Sequence, residues 1–125
     1  MQLLLDTHVF ILAVTADRKL KPATRSLVTS AERVFVSAAS IWEIAIKSRL
    51  GKIHGDANEF ASAIEASGFK ELAISARHAA AVATLPLHHT DPFDRLILAQ
   101  AFAEPLHLLT ADGALAAYGG AVTVI

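Results

Sequence analysis

The sequence predicts an α/β fold: three layers, with helices on both faces of a central parallel sheet of about five strands. Three observations lead there. Short β-type runs alternate with helix-forming stretches along the whole chain. Most of the runs are apolar at consecutive positions, as in strands covered on both faces. Prolines and glycines fall at the ends of elements. With 125 residues, 54% apolar and 18% charged, the chain reads as one domain over 1–125 with a sizeable core.

The elements follow in order. QLLL (2–5) is the first strand, followed by a helix over 8–15. Pro22 suits the first turn of a helix over 22–31. RVFVS (33–37) is the second strand, and a helix over 39–50 ends before Gly51. A helix over 57–67 stops at Gly68; ELAI (71–74) is the third strand, and a helix spans 76–84. Asp91 caps and Pro92 opens a helix over 92–103, with Pro105 just beyond its end. LHLLT (106–110) and VTVI (122–125) complete the sheet. Right-handed crossovers join such strands, and no repeat, low-complexity tract or linker divides the chain.

Eleven basic and twelve acidic residues give a net charge of −1. That excludes the broad basic footprint of a protein that coats nucleic acid, but not an enzyme that meets it at one site. The absence of cysteine excludes disulfides, thiolate nucleophiles and cysteine-ligated zinc. The opening MQLLLDTHVFILAV lacks the basic start of a secretory signal and is interrupted by Asp6. No apolar run nears the roughly 20 residues that span a bilayer, so a soluble, cytoplasmic protein without membrane contact is expected. The apolar surplus favours a partner or self-association face.

Ligands of open parallel sheets bind beyond the carboxyl ends of the strands, where strand order reverses. Four acids are placed to meet there: Asp6 after the first strand, Glu43 in the helix after the second, Asp94 in the helix leading into the fourth, and Asp112 after the fourth. Each has an ordinary explanation. Asp6 and Asp112 suit caps or turns, Asp94 the first turn of its helix, and Glu43 a capping box with Ser40 or an i,i+4 pair with Lys47. Together they would repel one another and raise their pKa values unless a cation were present. Hard oxygen donors without cysteine or a paired-histidine motif suit Mg²⁺ or Mn²⁺, which can activate water for attack on a phosphodiester.

LLLDTHVF, VSAASIWEIAIKSRLGKI, LPLHHTDPFDRLILAQA and LLTADGALAAYG, in this order and spacing, resemble PIN-domain ribonucleases, and more closely the VapC-type toxins of bacterial toxin–antitoxin pairs. The resemblance runs through nearly the whole chain. It implies a PIN-like three-layer fold, a Mg²⁺-dependent endoribonuclease with Mn²⁺ as a substitute, an RNA substrate, a homodimer, and a cognate VapB-type antitoxin that blocks the site. The family's acidic quartet carries over to Asp6, Glu43, Asp94 and Asp112, with Asp6 and Asp94 as principal metal ligands. Two other readings stand beside it. One is a catalytically silent PIN-like binding module. The other is a receiver-type phosphoacceptor domain, which normally shows an acidic pair after its first strand and a lysine after its last.

Around the quartet, Thr7 and Thr110 suit hydrogen bonds to an acid, to a metal-bound water or to local backbone. Arg95 suits a phosphate contact or a surface ion pair. Asp91 reads as a cap with an outer role at the metal. Lys47, Arg49 and Lys52 suit an RNA backbone or a solvated helix end. His88 and His89 read as structural or solvent-facing loop residues, His8 as packed against the sheet, and Trp42 as core or dimer face.

Overall fold

A computed structural model describes residues 1–125. Five parallel strands form one sheet: β1 (Gln2–Leu5), β2 (Arg33–Ser37), β3 (Lys70–Leu72), β4 (His107–Thr110) and β5 (Val122–Val124), in the order β3-β2-β1-β4-β5. The helices are α1 (Thr7–Val14), α2 (Pro22–Ser30), α3 (Ala38–Arg49), α4 (Ala57–Ala66), α5 (Ala76–Ala81) and α6 (Pro92–Ala103). Single 3-10 stretches cover Val82–Thr84 and Gly113–Tyr118. From β1 the chain steps outward to β2 and β3, then returns to the other side of β1 to lay down β4 and β5. Strand order therefore reverses between β1 and β4, which pair in the register Leu3↔His107 to Leu5↔Leu109.

Consecutive apolar residues in the strands serve two cores. Leu3 and Leu5 of β1, Val34 and Val36 of β2 and Leu109 of β4 face one side, with Val9 and Phe10 of α1 and Phe60 and Ile64 of α4. Leu4 and Leu108 face the other side, with Ile97, Leu98 and Ala101 of α6 and Leu115. Period-2 geometry sends alternate side chains to opposite faces, so an unbroken apolar run is what a covered strand needs. The result is the three-layer α/β/α arrangement. None of the helices is long and apolar enough to cross a membrane.

Differences from the sequence expectations lie mainly at element ends. The third strand, expected over 71–74, pairs only over Lys70–Leu72, in register with Phe35–Ser37. β2 ends at Ser37, so Ala73 and Ile74 have no strand beside them; the carbonyl of Ala73 instead accepts from Gln100 Nε2 at 3.3 Å. The helix expected over 76–84 keeps its α geometry only to Ala81 and tightens into a 3-10 turn. At the end of α4, Gly68 adopts a left-handed φ of 80°, and Phe69 N–H reaches back to the carbonyl of Ile64.

Gln100 is fully buried on an otherwise apolar face of α6. It accepts from Ser37 Oγ at 2.5 Å, and Ser37 in turn caps α3 through Ala39 N–H. This chain of bonds ties α6 to the start of α3, the two helices that carry Asp94 and Glu43. Gln100→Leu is therefore expected to destabilise the protein by about 1–3 kcal/mol despite raising the apolar content, because it strands buried polar partners. Phe102→Ala, at an exposed position of the same helix, should stay within about 0.5 kcal/mol; urea unfolding of both variants checks the contrast.

Candidate metal centre and active site

The acidic crevice lies at the carboxyl end of the sheet beside β1 and β4. Asp6 is the N-cap residue of α1, where β1 stops, and is 4% exposed. Its Oδ1 accepts from Val9 N–H at 2.8 Å; its Oδ2 accepts from Thr110 Oγ1 at 2.6 Å and Ala111 N–H at 3.3 Å. Burial pushes its pKa up, against these hydrogen bonds and the nearby His8. Thr110 Oγ1 also accepts from Asp112 N–H at 3.0 Å. One strand-end hydroxyl thus couples two of the four acids.

Glu43 sits within α3 and is 5% exposed. Its Oε2 accepts from Lys47 Nζ at 2.5 Å, so the i,i+4 pair read from the sequence is present. Its Oε1 is buried and has no partner. The N-cap of α3 is Ser37, not Ser40; Ser40 Oγ instead accepts from Thr7 Oγ1 at 2.9 Å, locking the start of α1 to α3. Thr7 thus meets neither an acid nor local backbone. The hydrogen bond to Glu43 raises the Lys47 pKa against some burial, with Asp91 and Asp94 adding to the effect.

Asp91 caps α6 through Oδ1, which accepts from Asp94 N–H at 2.9 Å, with Pro92 in the first turn. That turn orients Asp94 into the crevice. The Asp94 pKa is raised to about 6, first by burial and then by repulsion from Asp91, Asp6 and Glu43, despite a hydrogen bond from His89. Asp112 caps the 3-10 helix through Ala114 N–H at 2.9 Å and leaves Oδ2 turned to the crevice. Asp6, Glu43, Asp91, Asp94, Asp112, Thr7, His8 and Lys47 all line one cavity of 430 Å³. A second groove of 440 Å³ lies near the amino ends of β2 and β3; it has no comparable gathering of acids.

Several neighbours stand differently from the sequence expectations. His89 is drawn in: its Nε2 lies 2.8 Å from Asp94 Oδ2 and 3.3 Å from Asp112 Oδ2. His8 is exposed at the rim of the crevice, not packed against the sheet. Trp42 is 57% exposed and so is not core; it meets Phe93 edge-on at 4.9 Å. Arg95 makes no surface ion pair; its guanidinium is engaged by backbone carbonyls and by Tyr118. It donates to the carbonyls of Val82, Leu85, Pro86 and His89 and to Tyr118 Oη, all within 3.4 Å. No local sequence signal announces this, since its acceptors are carbonyls that any residue type carries.

The donor set fits a hard divalent cation. Five carboxylates share a crevice with one lysine, and the unpartnered Glu43 Oε1 is a buried acceptor lacking a donor or cation. The same negative charge would repel a phosphate backbone unless a cation were bound.

The profile of the PIN domain family matches residues 3–121. This chain belongs to the PIN-domain family. Its fold is similar to a chain of VapBC2 from Rickettsia felis, solved bound to a DNA fragment from their promoter. The TM-score is 0.69 at 15% identity, over 100% of this chain and 98% of that one. It is also similar to a chain of a toxin–antitoxin complex from Klebsiella pneumoniae, with a TM-score of 0.66 at 20% identity over 97% of this chain and 95% of that one. No curated protein matches the sequence closely enough to count as a relative.

The geometry has consequences for stability. Asp94 holds its proton more tightly folded than unfolded, so between about pH 4 and pH 6 the folded state binds more protons and loses stability as pH rises. Asp94→Asn should therefore stabilise the metal-free protein at pH 7.5, by at most about 3 kcal/mol, since each tenfold change in proton affinity is worth roughly 1.4 kcal/mol. The gain should vanish near pH 4; urea unfolding in EDTA across this range would refute it if wild type were the more stable at pH 7.5. Arg95→Ala should cost about 1.5–3 kcal/mol through lost charge-assisted hydrogen bonds. Faster amide exchange confined to residues 82–90 would accompany it.

Proposed function

We propose that this chain is a single-domain, metal-dependent endoribonuclease and the toxin of a VapBC-type toxin–antitoxin pair. One observation carries the reading: four acids from four separate segments converge at the reversal of strand order, and the most buried part of that cluster includes a carboxylate oxygen with no partner. Family membership and the likeness to chains from toxin–antitoxin complexes support it.

Asp6, Glu43, Asp94 and Asp112 are the residues that would hold Mg²⁺ or Mn²⁺. Such an ion supplies Lewis acidity towards a phosphodiester and lowers the pKa of a bound water. The chain's own groups do the rest. Asp6 is held rigidly by Val9, Thr110 and Ala111, so its carboxylate needs no reorganisation when charge develops nearby. Glu43 Oε1, buried and without a partner, is the acceptor left over for a water or a cation that enters the site. Hydrolysis joins that water's oxygen to phosphorus and breaks a P–O bond, leaving one phosphate end and one hydroxyl end. Lys47 is placed to contact a phosphate at the lip of the crevice. The proposed substrate is RNA and the proposed site of action the cytoplasm.

The partner surfaces have a physical basis as well. Trp42 and Ile46 of α3 and Leu50 at its C-cap are exposed at four-residue intervals, an apolar stripe that suits a homodimer or a cognate antitoxin.

Purified, antitoxin-free protein should cut a labelled total-RNA pool into discrete fragments in Mn²⁺ or Mg²⁺. It should not do so in EDTA or as the Asp6→Asn/Asp94→Asn double variant. Intact RNA in every lane from folded wild type would overturn the nuclease reading in favour of a silent binding module.

A further inference from the structure

We propose that His89 is a nitrogen ligand of the metal centre and biases it towards Mn²⁺ over Mg²⁺; this rests on the metal-dependent reading of the site given above. His89 precedes α6 in a loop and has no second histidine at helical spacing, so nothing in its local sequence marks it as a ligand. The fold brings it to the acids. Its Nε2 lies 2.8 Å from Asp94 Oδ2 and 3.3 Å from Asp112 Oδ2, and the donor atoms of the three residues all lie within 4.8 Å of one another. Neighbouring ligands of an octahedral ion with bonds of roughly 2.0–2.1 Å are about 3 Å apart. The separations from Nε2 are those of adjacent ligands of a single cation.

The loop backbone that carries the imidazole is also held from behind. Arg95 donates to the His89 carbonyl at 3.2 Å and to the carbonyls of Val82, Leu85 and Pro86 in the preceding loop. Tyr118 Oη accepts from His88 N–H at 3.1 Å and donates to the carbonyl of Pro86 at 2.7 Å. A loop residue so anchored is preorganised in the way that supporting contacts orient metal ligands elsewhere. Without an ion, Nε2–H donates to Asp94; to take a cation the ring would carry its proton on Nδ1 instead, presenting the Nε2 lone pair to the point that Asp94 and Asp112 also face.

Chemistry gives the direction of the bias. An all-oxygen site suits Mg²⁺, whereas an imidazole nitrogen is a better donor to first-row transition ions than to Mg²⁺. One nitrogen among carboxylates thus favours Mn²⁺ without excluding Mg²⁺. Glu43 lines the crevice together with Asp94 and Asp112, and its buried Oε1 has no hydrogen-bond partner, a second sign that the crevice takes a cation.

The test is pulsed electron paramagnetic resonance of Mn²⁺ bound to the wild-type protein, read for coupling to ¹⁴N, together with calorimetric titration of Mn²⁺ and Mg²⁺. The expected result is a ¹⁴N coupling in wild type that disappears in His89→Ala. That variant should bind Mn²⁺ about tenfold more weakly while Mg²⁺ affinity moves by less than about threefold. His89→Gln, which offers an oxygen at similar reach, should recover part of the Mn²⁺ affinity without the nitrogen signal. Mn²⁺ bound to wild type without ¹⁴N coupling, or equal loss of both ions in His89→Ala, would overturn the role of His89 while leaving the acidic centre standing. No Mn²⁺ binding to wild type would overturn both. Because the spectroscopic signal is read on wild type, it does not depend on the folding of any variant.

Discussion

A single buried carboxylate, that of Asp6, joins the sheet to the site. It stands where strand order reverses, and a charge there is tolerated only because polar groups from several elements converge on it. The donors are the Val9 amide in the first turn of α1, and the Thr110 hydroxyl and Ala111 amide at the end of β4. These groups come together only if β1 and β4 are adjacent, parallel and in the observed register. Thr110 then passes the constraint on, since it also accepts from the amide of Asp112.

The remaining acids are brought in at a cost. Asp94 is held near Asp91, Asp6 and Glu43, and its raised pKa expresses that crowding as well as its burial. A crevice of this kind is a local destabilisation maintained by the rest of the fold, chiefly by the two apolar cores that bury both faces of the sheet. Preorganised charge is what a site for a cation and a phosphodiester needs. The supporting contacts are correspondingly specific. Gln100 and Ser37 tie α6 to α3, Thr7 and Ser40 tie α1 to α3, and Arg95 fastens the loop that carries His89.

The α/β class, the order of elements and most boundaries were legible in the sequence. They came from apolar runs and from punctuation by Pro22, Gly51, Gly68 and Pro92, all of which act locally. The meeting of Asp6, Glu43, Asp94 and Asp112 in one crevice was legible because parallel α/β topology predicts which ends of which elements meet. The places of His89, His8 and Arg95 were not legible, and of the two readings of Trp42 the structure excludes only the core. His89 meets Asp112 and Arg95 meets Tyr118, each 23 positions away, and the other acceptors of Arg95 are backbone carbonyls that carry no residue-type signal. The third strand was found but its bounds were misplaced, because its length depends on where β2 stops.

The sequence by itself determined the layers, the strand and helix pattern and the acids placed at the ends of elements, because hydrophobic period, capping and chain-breaking residues act over a few positions. Only the tertiary structure decided which side chains point into the crevice and which are committed to holding it. A hydrogen bond between Thr110 and Asp6, or between Arg95 and a backbone carbonyl, forms between groups whose meeting depends on the path of the whole chain, and no local pattern of residue types encodes that path.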